Sequence, residues 1–223
     1  MLPHGVEKDG LADTDANEGI PPKLSILAQY WLRQSCLVSC LPTCLYNIFT
    51  EVASRKNAYK PFNPSLDKIK RLSGFTPMGG APWDEARKGL QTEMRKEKIK
   101  EWALLEAEGK KNSYDLLCQI LGSKHCSYPV VTLGGEYLME EYDVVQTGSP
   151  HCWMSHSVIV VKATPDSCLL FDPLSLDGEN NFRWVSRVSF EMYWSCGSPE
   201  RGVLWLRSSA FPLESFDGAG VNE

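Results

Sequence analysis

The hydrophobic pattern changes period partway along the chain, and this change restricts the fold more than any other feature. Up to about residue 122 the apolar residues recur at helical spacing. From Cys40 the sequence reads CLPTCLYNIFTEVASR, with apolar side chains at 41, 44, 45, 48, 49 and 52, the three-and-four rhythm of a buried helix. Pro42 is tolerated only in a first turn, which puts Cys40 at or just before the helix N-terminus. Asn63-Pro64-Ser65 opens a second, short helix striped by Leu66, Ile69 and Leu72 and ended by Gly74. Thr76–Pro82 reads as a loop. Trp83, Ala86, Leu90 and Met94 stripe a third helix, whose Lys, Arg and Glu residues form a solvated face. Ile99–Leu105 either continues that helix or forms a strand. Gly109–Asn112 is a turn, and Tyr114–Leu121 is another short helix ended by Gly122.

Beyond that point the runs are short, β-branched and bounded by turns. Tyr128–Leu133, Ser157–Val161, Cys168–Phe171 and Gly202–Leu206 read as strands. Thr164–Ser167 is a turn that makes the middle two a hairpin. Val188–Trp194 is a short late helix. Helices first and strands later predict an α+β fold, with a helical lobe packed on an antiparallel sheet. In 223 residues, of which 43% are hydrophobic and 23% charged, there is material for one domain or two tightly joined lobes at about 100–200 residues per domain.

The charge pattern narrows the partners. The net charge is −5; residues 1–23 carry −3, residues 209–223 carry −3, and the body is +1. Residues 1–23 and 209–223 are expected to be disordered acidic tails around a domain at 24–208. A basic face for nucleic acid is not indicated. There is no apolar run of membrane-spanning length and no secretory signal, so a cytoplasmic location is expected. That setting favours reduced thiols for the eight cysteines (36, 40, 44, 118, 126, 152, 168 and 196). No CxxC pair occurs. Cys36, Cys40 and Cys44 lack the two-residue gap usual in iron–sulfur motifs, and His151-Cys152 has no second pair to complete a zinc site. No cofactor is implied.

One cysteine has the neighbours that thiol chemistry needs. A thiol at a helix start is biased toward the thiolate by unpaired N–H groups and the helix dipole. Acyl transfer also needs a histidine to move protons, a group to orient it, and donors for the oxyanion. Cys40 opens the helix, and Gln34 lies six residues before it. His156 opens one strand of the hairpin, and Asp172 closes the other in Phe171-Asp172-Pro173. A short turn between antiparallel strands places those two side by side. Cys36 and His151 are competing candidates for nucleophile and base, Cys44 reads as core, and Trp153 is a candidate cleft wall. The tryptophans otherwise read mostly as core.

These residues resemble, in order and spacing, the papain-like superfamily, and more narrowly the bacteriocin-processing peptidases that remove double-glycine leaders, together with their stand-alone relatives. The resemblance runs over about 27–207. It takes in Gln34–Leu45, the Ser65–Gly74 helix, Gly79-Gly80, Tyr128–Val131, His156–Val161, Phe171–Pro173 and the aromatic-ended helix Phe190–Trp194. It implies a papain-like fold with a cleft between helical and sheet lobes. It also implies a cysteine peptidase acting on a peptide or protein, in which Cys40 is nucleophile, His156 general base and acid, Asp172 the orienting group and Gln34 the oxyanion donor. The family commonly has an acidic residue before the cysteine and Gly after it, where this chain has Ser39 and Leu41, and residues 134–155 read as an inserted loop. A non-catalytic peptide-binding module, and an amidase or acyltransferase with the same triad, are the alternative readings.

Overall fold

A computed structural model describes residues 31–35, 38–55, 62–142, 155–174, 181–209 and 221–222. Among the described residues three helices come first: α1 (Cys40–Ala53), α2 (Leu66–Leu72) and α3 (Trp83–Lys96). Then β1 (Trp102–Ala107), α4 (Tyr114–Gly122), β2 (Val130–Leu133), α5 (Gly135–Tyr142), β3 (His156–Ala163), β4 (Ser167–Phe171), β5 (Phe182–Ser186), α6 (Arg187–Ser195), β6 (Val203–Ser208) and β7 (Val221–Asn222) follow. The seven strands form one antiparallel sheet in the order β5-β4-β3-β2-β6-β1-β7. The mixed helix and antiparallel-sheet class is as the periodicity predicts. The Ile99–Leu105 ambiguity resolves as strand β1.

The sheet is buried on both faces, which is why its strands read as apolar runs rather than alternating ones. Register assigns the faces. Leu104, Leu206, Leu204, Val130, Ile159 and Phe171 are linked by cross-strand pairing and share one face. Helix α1 packs there against β3, and the Cys44 thiol donates to the Ser157 carbonyl at 3.3 Å. Helix α3 reaches the same face, where Trp83 Nε1 donates to the Glu106 carboxylate and Arg87 lies 2.7 Å from it. On the other face Leu105, Val131, Leu133, Val158, Val160, Leu170, Val203 and Trp205 meet Tyr114 and Leu117 of α4, Tyr137 and Leu138 of α5, and Phe190 and Trp194 of α6 in one core. The sheet thus carries three helices of its own besides the early helical layer.

Three elements differ from the sequence reading. Helix α5 occupies the start of the segment expected to be an inserted loop. Strand β5 was not foreseen: its exposed Trp184 and its two arginine- and serine-bearing flanks make a weak apolar signal, and pairing to β4 supplies its order. Val221–Asn222, within the expected C-terminal tail, pairs with Glu106–Ala107 at the sheet edge. Among the described residues no helix is long and apolar enough to cross a membrane. The six described cysteines (40, 44, 118, 126, 168 and 196) are free thiols. Trp31, Trp83, Trp194 and Trp205 are buried, whereas Trp184 is exposed.

The contact between α2 and α3 is close enough to depend on a missing side chain. A Cβ on Gly89 would stand 1.9 Å from the Leu72 carbonyl oxygen, whereas one on Gly122 would meet nothing within 4 Å. Gly89→Ala is expected to cost about 1–3 kcal/mol by overpacking. Gly122→Ala, in a helix with open space around it, is expected to be neutral or to gain about 0.5–1 kcal/mol. Urea midpoints measure both; equal effects of the two substitutions would refute this account of the α2–α3 contact.

Candidate active site

The site forms where the start of α1 meets the ends of β3 and β4. Cys40 is the first residue of α1, and the Ser39 carbonyl begins the helix by accepting from Thr43 N at 3.1 Å and Thr43 Oγ1 at 2.8 Å. With Pro42 in the first turn, the N–H groups of Cys40 and Leu41 are left pointing out of the helix end. His156 is the first residue of β3, opposite Leu133 of β2. The register Ile159↔Phe171 brings the start of β3 beside the residues just after β4. His156 Nε2 lies 2.7 Å from Asp172 Oδ1. Nδ1 is then the nitrogen left to face the Cys40 thiol, and both residues line the same cleft. Cys40, His156 and Asp172 are 7%, 1% and 0% exposed.

Electrostatics distinguish Cys40 from four other described thiols. Burial opposes its ionisation, but the hydrogen bond and charge of His156, with main-chain groups of Ser157 and Leu41, hold its pKa below that of an ordinary thiol. Burial pushes the thiols of Cys44, Cys118, Cys126 and Cys168 upward instead. For His156, burial disfavours the charged ring, yet the charge and hydrogen bond of Asp172 raise its pKa above the ordinary histidine value. Asp172 is held below the usual carboxylate range: burial works against its charge, and His156, Tyr137 and Leu174 N–H overcome it. The arrangement favours a thiolate–imidazolium pair backed by a carboxylate.

Gln34 is brought to the same end of the molecule by its main chain. Buried Asn47 of α1 holds Leu32 by two hydrogen bonds, accepting from Leu32 N at 2.8 Å and donating to Leu32 O at 3.1 Å. Two residues on, Gln34 N donates to the Pro173 carbonyl at 2.9 Å. Gln34 is therefore fixed beside the Asp172 turn. The described residues that wall the cleft do not include it. That cleft has a volume of about 680 Å³. Cys40, Leu41 and His156 lie in its wall with Val38, Met78–Asp84, Thr132, Leu138 and Ser198-Pro199. Leu41, at the position next to the thiol, is nearly buried and contributes apolar surface to the wall. Cys36, His151, Cys152 and Trp153 lie outside the described residues.

Sequence reasoning missed two residues that touch Asp172. Tyr137 and Tyr142, both on α5, place their hydroxyls 2.8 Å from Oδ2. The signal available was the helical spacing of Leu138 and Tyr142 after Tyr137, hidden behind Gly134-Gly135, which reads as a loop. That first glycine has a packing reason. A Cβ there would stand 2.6 Å from Cys196 Cβ, so only glycine lets β2 run into α5 directly against the end of α6.

Comparison with protein-family models finds no match, and comparison with curated proteins finds none. Among solved structures, the fold is similar to a crystal structure from Bacillus anthracis described as that of a C39-like peptidase. The TM-score is 0.49 at 14% sequence identity, over 78% of this chain and 92% of that chain.

Proposed function

We propose that this protein is a papain-like cysteine hydrolase that cleaves a peptide or amide bond through an acyl-enzyme, with a peptide or protein as substrate. One observation carries the reading: a thiol at a helix start and an imidazole line the same cleft, and the imidazole is bonded at 2.7 Å to a buried carboxylate. Within this class, the order of motifs along the chain favours the double-glycine leader peptidases and their relatives.

In this mechanism the Cys40 thiolate attacks the scissile carbonyl carbon. The carbonyl π electrons move to oxygen, giving a tetrahedral oxyanion. The Cys40 main-chain N–H at the helix start is one donor, and the motif order assigns the second to the side-chain amide of Gln34, which is held beside the Asp172 turn rather than in the described cleft wall. Collapse of the oxyanion breaks the C–N bond, and the His156 imidazolium protonates the departing amine. The neutral imidazole then takes a proton from water as the water attacks the thioester. The second collapse releases the acid and the Cys40 thiolate, with His156 again protonated. Asp172 keeps the ring oriented and charged throughout. The cleft, between the early helical layer and the sheet, holds the substrate chain.

Cys40→Ala is expected to abolish hydrolysis of a casein-derived peptide library and labelling by iodoacetamide at pH 6 while leaving the melting temperature near wild type. His156→Ala is expected to lower the rate by about 10²–10⁴-fold, the usual worth of a positioned general acid–base. Full activity in the Cys40 variant would overturn the assignment of the nucleophile. The pH dependence has a definite sign. The thiolate exists above the lowered pKa of Cys40, and the leaving-group proton is present below the raised pKa of His156. The profile of kcat/KM should therefore hold a plateau across neutral pH, beginning well below the roughly 8.5 of an ordinary thiol and ending above the roughly 6.5 of an ordinary histidine. A thiol titrating near 8.5 would instead favour a non-catalytic binding module.

A further inference from the structure

We propose that Tyr137 and Tyr142 are positioning residues of the site: a pair of neutral hydroxyls on one short helix that fixes the Asp172 carboxylate so that Oδ1 faces His156. This rests on the hydrolase reading for its role in catalysis, but the geometry of the clamp does not. The two carboxylate oxygens have separate duties. Oδ1 receives His156 Nε2 at 2.7 Å and Leu174 N–H at 2.8 Å. Oδ2 receives the Tyr137 hydroxyl at 2.8 Å, and the Tyr142 hydroxyl stands at the same distance. A carboxylate bonded on one oxygen alone can turn about its Cβ–Cγ axis; donors on Oδ2 remove that freedom.

Tyr137 touches the dyad twice. Its ring lies parallel to the His156 imidazole, 9° between planes and 5.9 Å between centroids, while its hydroxyl bonds the carboxylate. Tyr142 sits between Oδ2 and the Leu174 carbonyl, which is 2.7 Å away, under the Arg183 guanidinium at 4.2 Å from its ring. The donors are uncharged, and that matters. A lysine or arginine bonded to Oδ2 would neutralise Asp172 and leave the imidazolium without a counter-charge, whereas a phenol donates a proton and adds no charge. Burial and the nearby Asp172 charge keep both phenols in the protonated, donating form.

The charged or titratable groups facing Asp172 among the described residues enter the expectation. These are His156 on β3, Cys40 and Cys44 on α1, Tyr137 and Tyr142 on α5, and Arg183 on β5. Tyr193 of α6 packs edge-on to Tyr137 but donates to Glu140 at 2.6 Å, away from Asp172. Tyr193→Phe is therefore a control for simple loss of a buried hydroxyl.

The test compares Tyr137→Phe, Tyr142→Phe, their combination and Tyr193→Phe in two measurements, with circular dichroism to check the fold. The first is the pH dependence of Cys40 alkylation by iodoacetamide. The double variant should move the acid limb upward by about one pH unit, roughly the worth of one hydrogen bond to a charged group, with smaller shifts in the single variants. The Tyr193 variant should superimpose on wild type. The second is the NMR titration of the His156 ring in a Cys40→Ala background, which needs no catalysis. There the Tyr137 and Tyr142 substitutions should lower the imidazole pKa by about one unit, because the carboxylate turns away from the ring more readily. Unmoved or raised His156 titration in folded single variants overturns the clamp. An ordinary Cys40 thiol in wild type, with the His156 shift present, overturns the hydrolase reading and leaves the clamp standing.

Discussion

The buried charge of Asp172 is the constraint around which this end of the molecule is arranged. An isolated carboxylate inside a protein costs several kcal/mol, and it is tolerated only when its oxygens are met by donors or an opposite charge. Here the side chain meets His156, Tyr137, Tyr142 and the Leu174 N–H. Its main chain is also occupied: Asp172 N donates to Asn181 O at 2.7 Å, and Asn181 Nδ2 donates to Asp172 O at 2.6 Å. The next carbonyl, of Pro173, takes the N–H of Gln34. One residue therefore ties together β3, β4, the entry to β5, α5 and the segment that leads into α1. Moving any of these would strand a polar group on a buried ion.

Helix α1 serves chemistry with its first turn and packing with the turns that follow. Cys44, Leu45, Ile48 and Phe49 are almost wholly buried and bind the helix to the sheet. Cys40, one turn earlier, opens on the cleft. The two thiols share a helix and differ by four residues, yet their ionisation is pushed in opposite directions. Both lose solvation, so burial does not separate them. The separation comes from the imidazole, which meets Cys40, while Cys44 donates to a carbonyl that can only favour its protonated form. Two charges about 4 Å apart at an effective dielectric constant of 20 attract by about 4 kcal/mol, enough to outweigh a partial desolvation cost.

The parts legible in the sequence were those whose signal is local. Pro42 marks a first turn and so dates the helix start to Cys40. The run from His156 and the run ending at Phe171 are β-branched and apolar, with a turn of fixed length between them, so antiparallel pairing follows and the juxtaposition of His156 with Asp172 follows from it. Helix α5 and strand β5 were not legible because tertiary contacts supply what their composition lacks. Helix α5 has only eight residues, below the length at which a helix holds itself together in water. It is kept by the burial of Tyr137 and Leu138 and by hydroxyls bonded to a residue thirty or more positions away. Strand β5 is ordered by β4. Val221 and Asn222 find a place only because β1 leaves an edge to be paired.

Charge counting explains why the triad needs the helix start as well as the tyrosines. With a neutral thiol, the imidazolium and Asp172 cancel, and the buried cluster carries no net charge. Ionising Cys40 adds a second negative charge that shares the one imidazolium with Asp172, so the triad itself carries −1, with the Arg183 guanidinium beyond Tyr142. The partial positive charge of the α1 N-terminus is the nearest compensation, and main-chain groups of Leu41 and Ser157 reach the sulfur. At the other end of the cluster, hydroxyl donors spread the Asp172 charge over both oxygens. The negative cluster is thus held from its two ends, by a helix terminus at the sulfur and by phenols at the carboxylate, with the imidazolium between them. The two supports come from elements almost a hundred residues apart in the chain, α1 and α5. They meet only across the sheet, so the ionised thiol depends on the packing of the whole domain rather than on its local sequence.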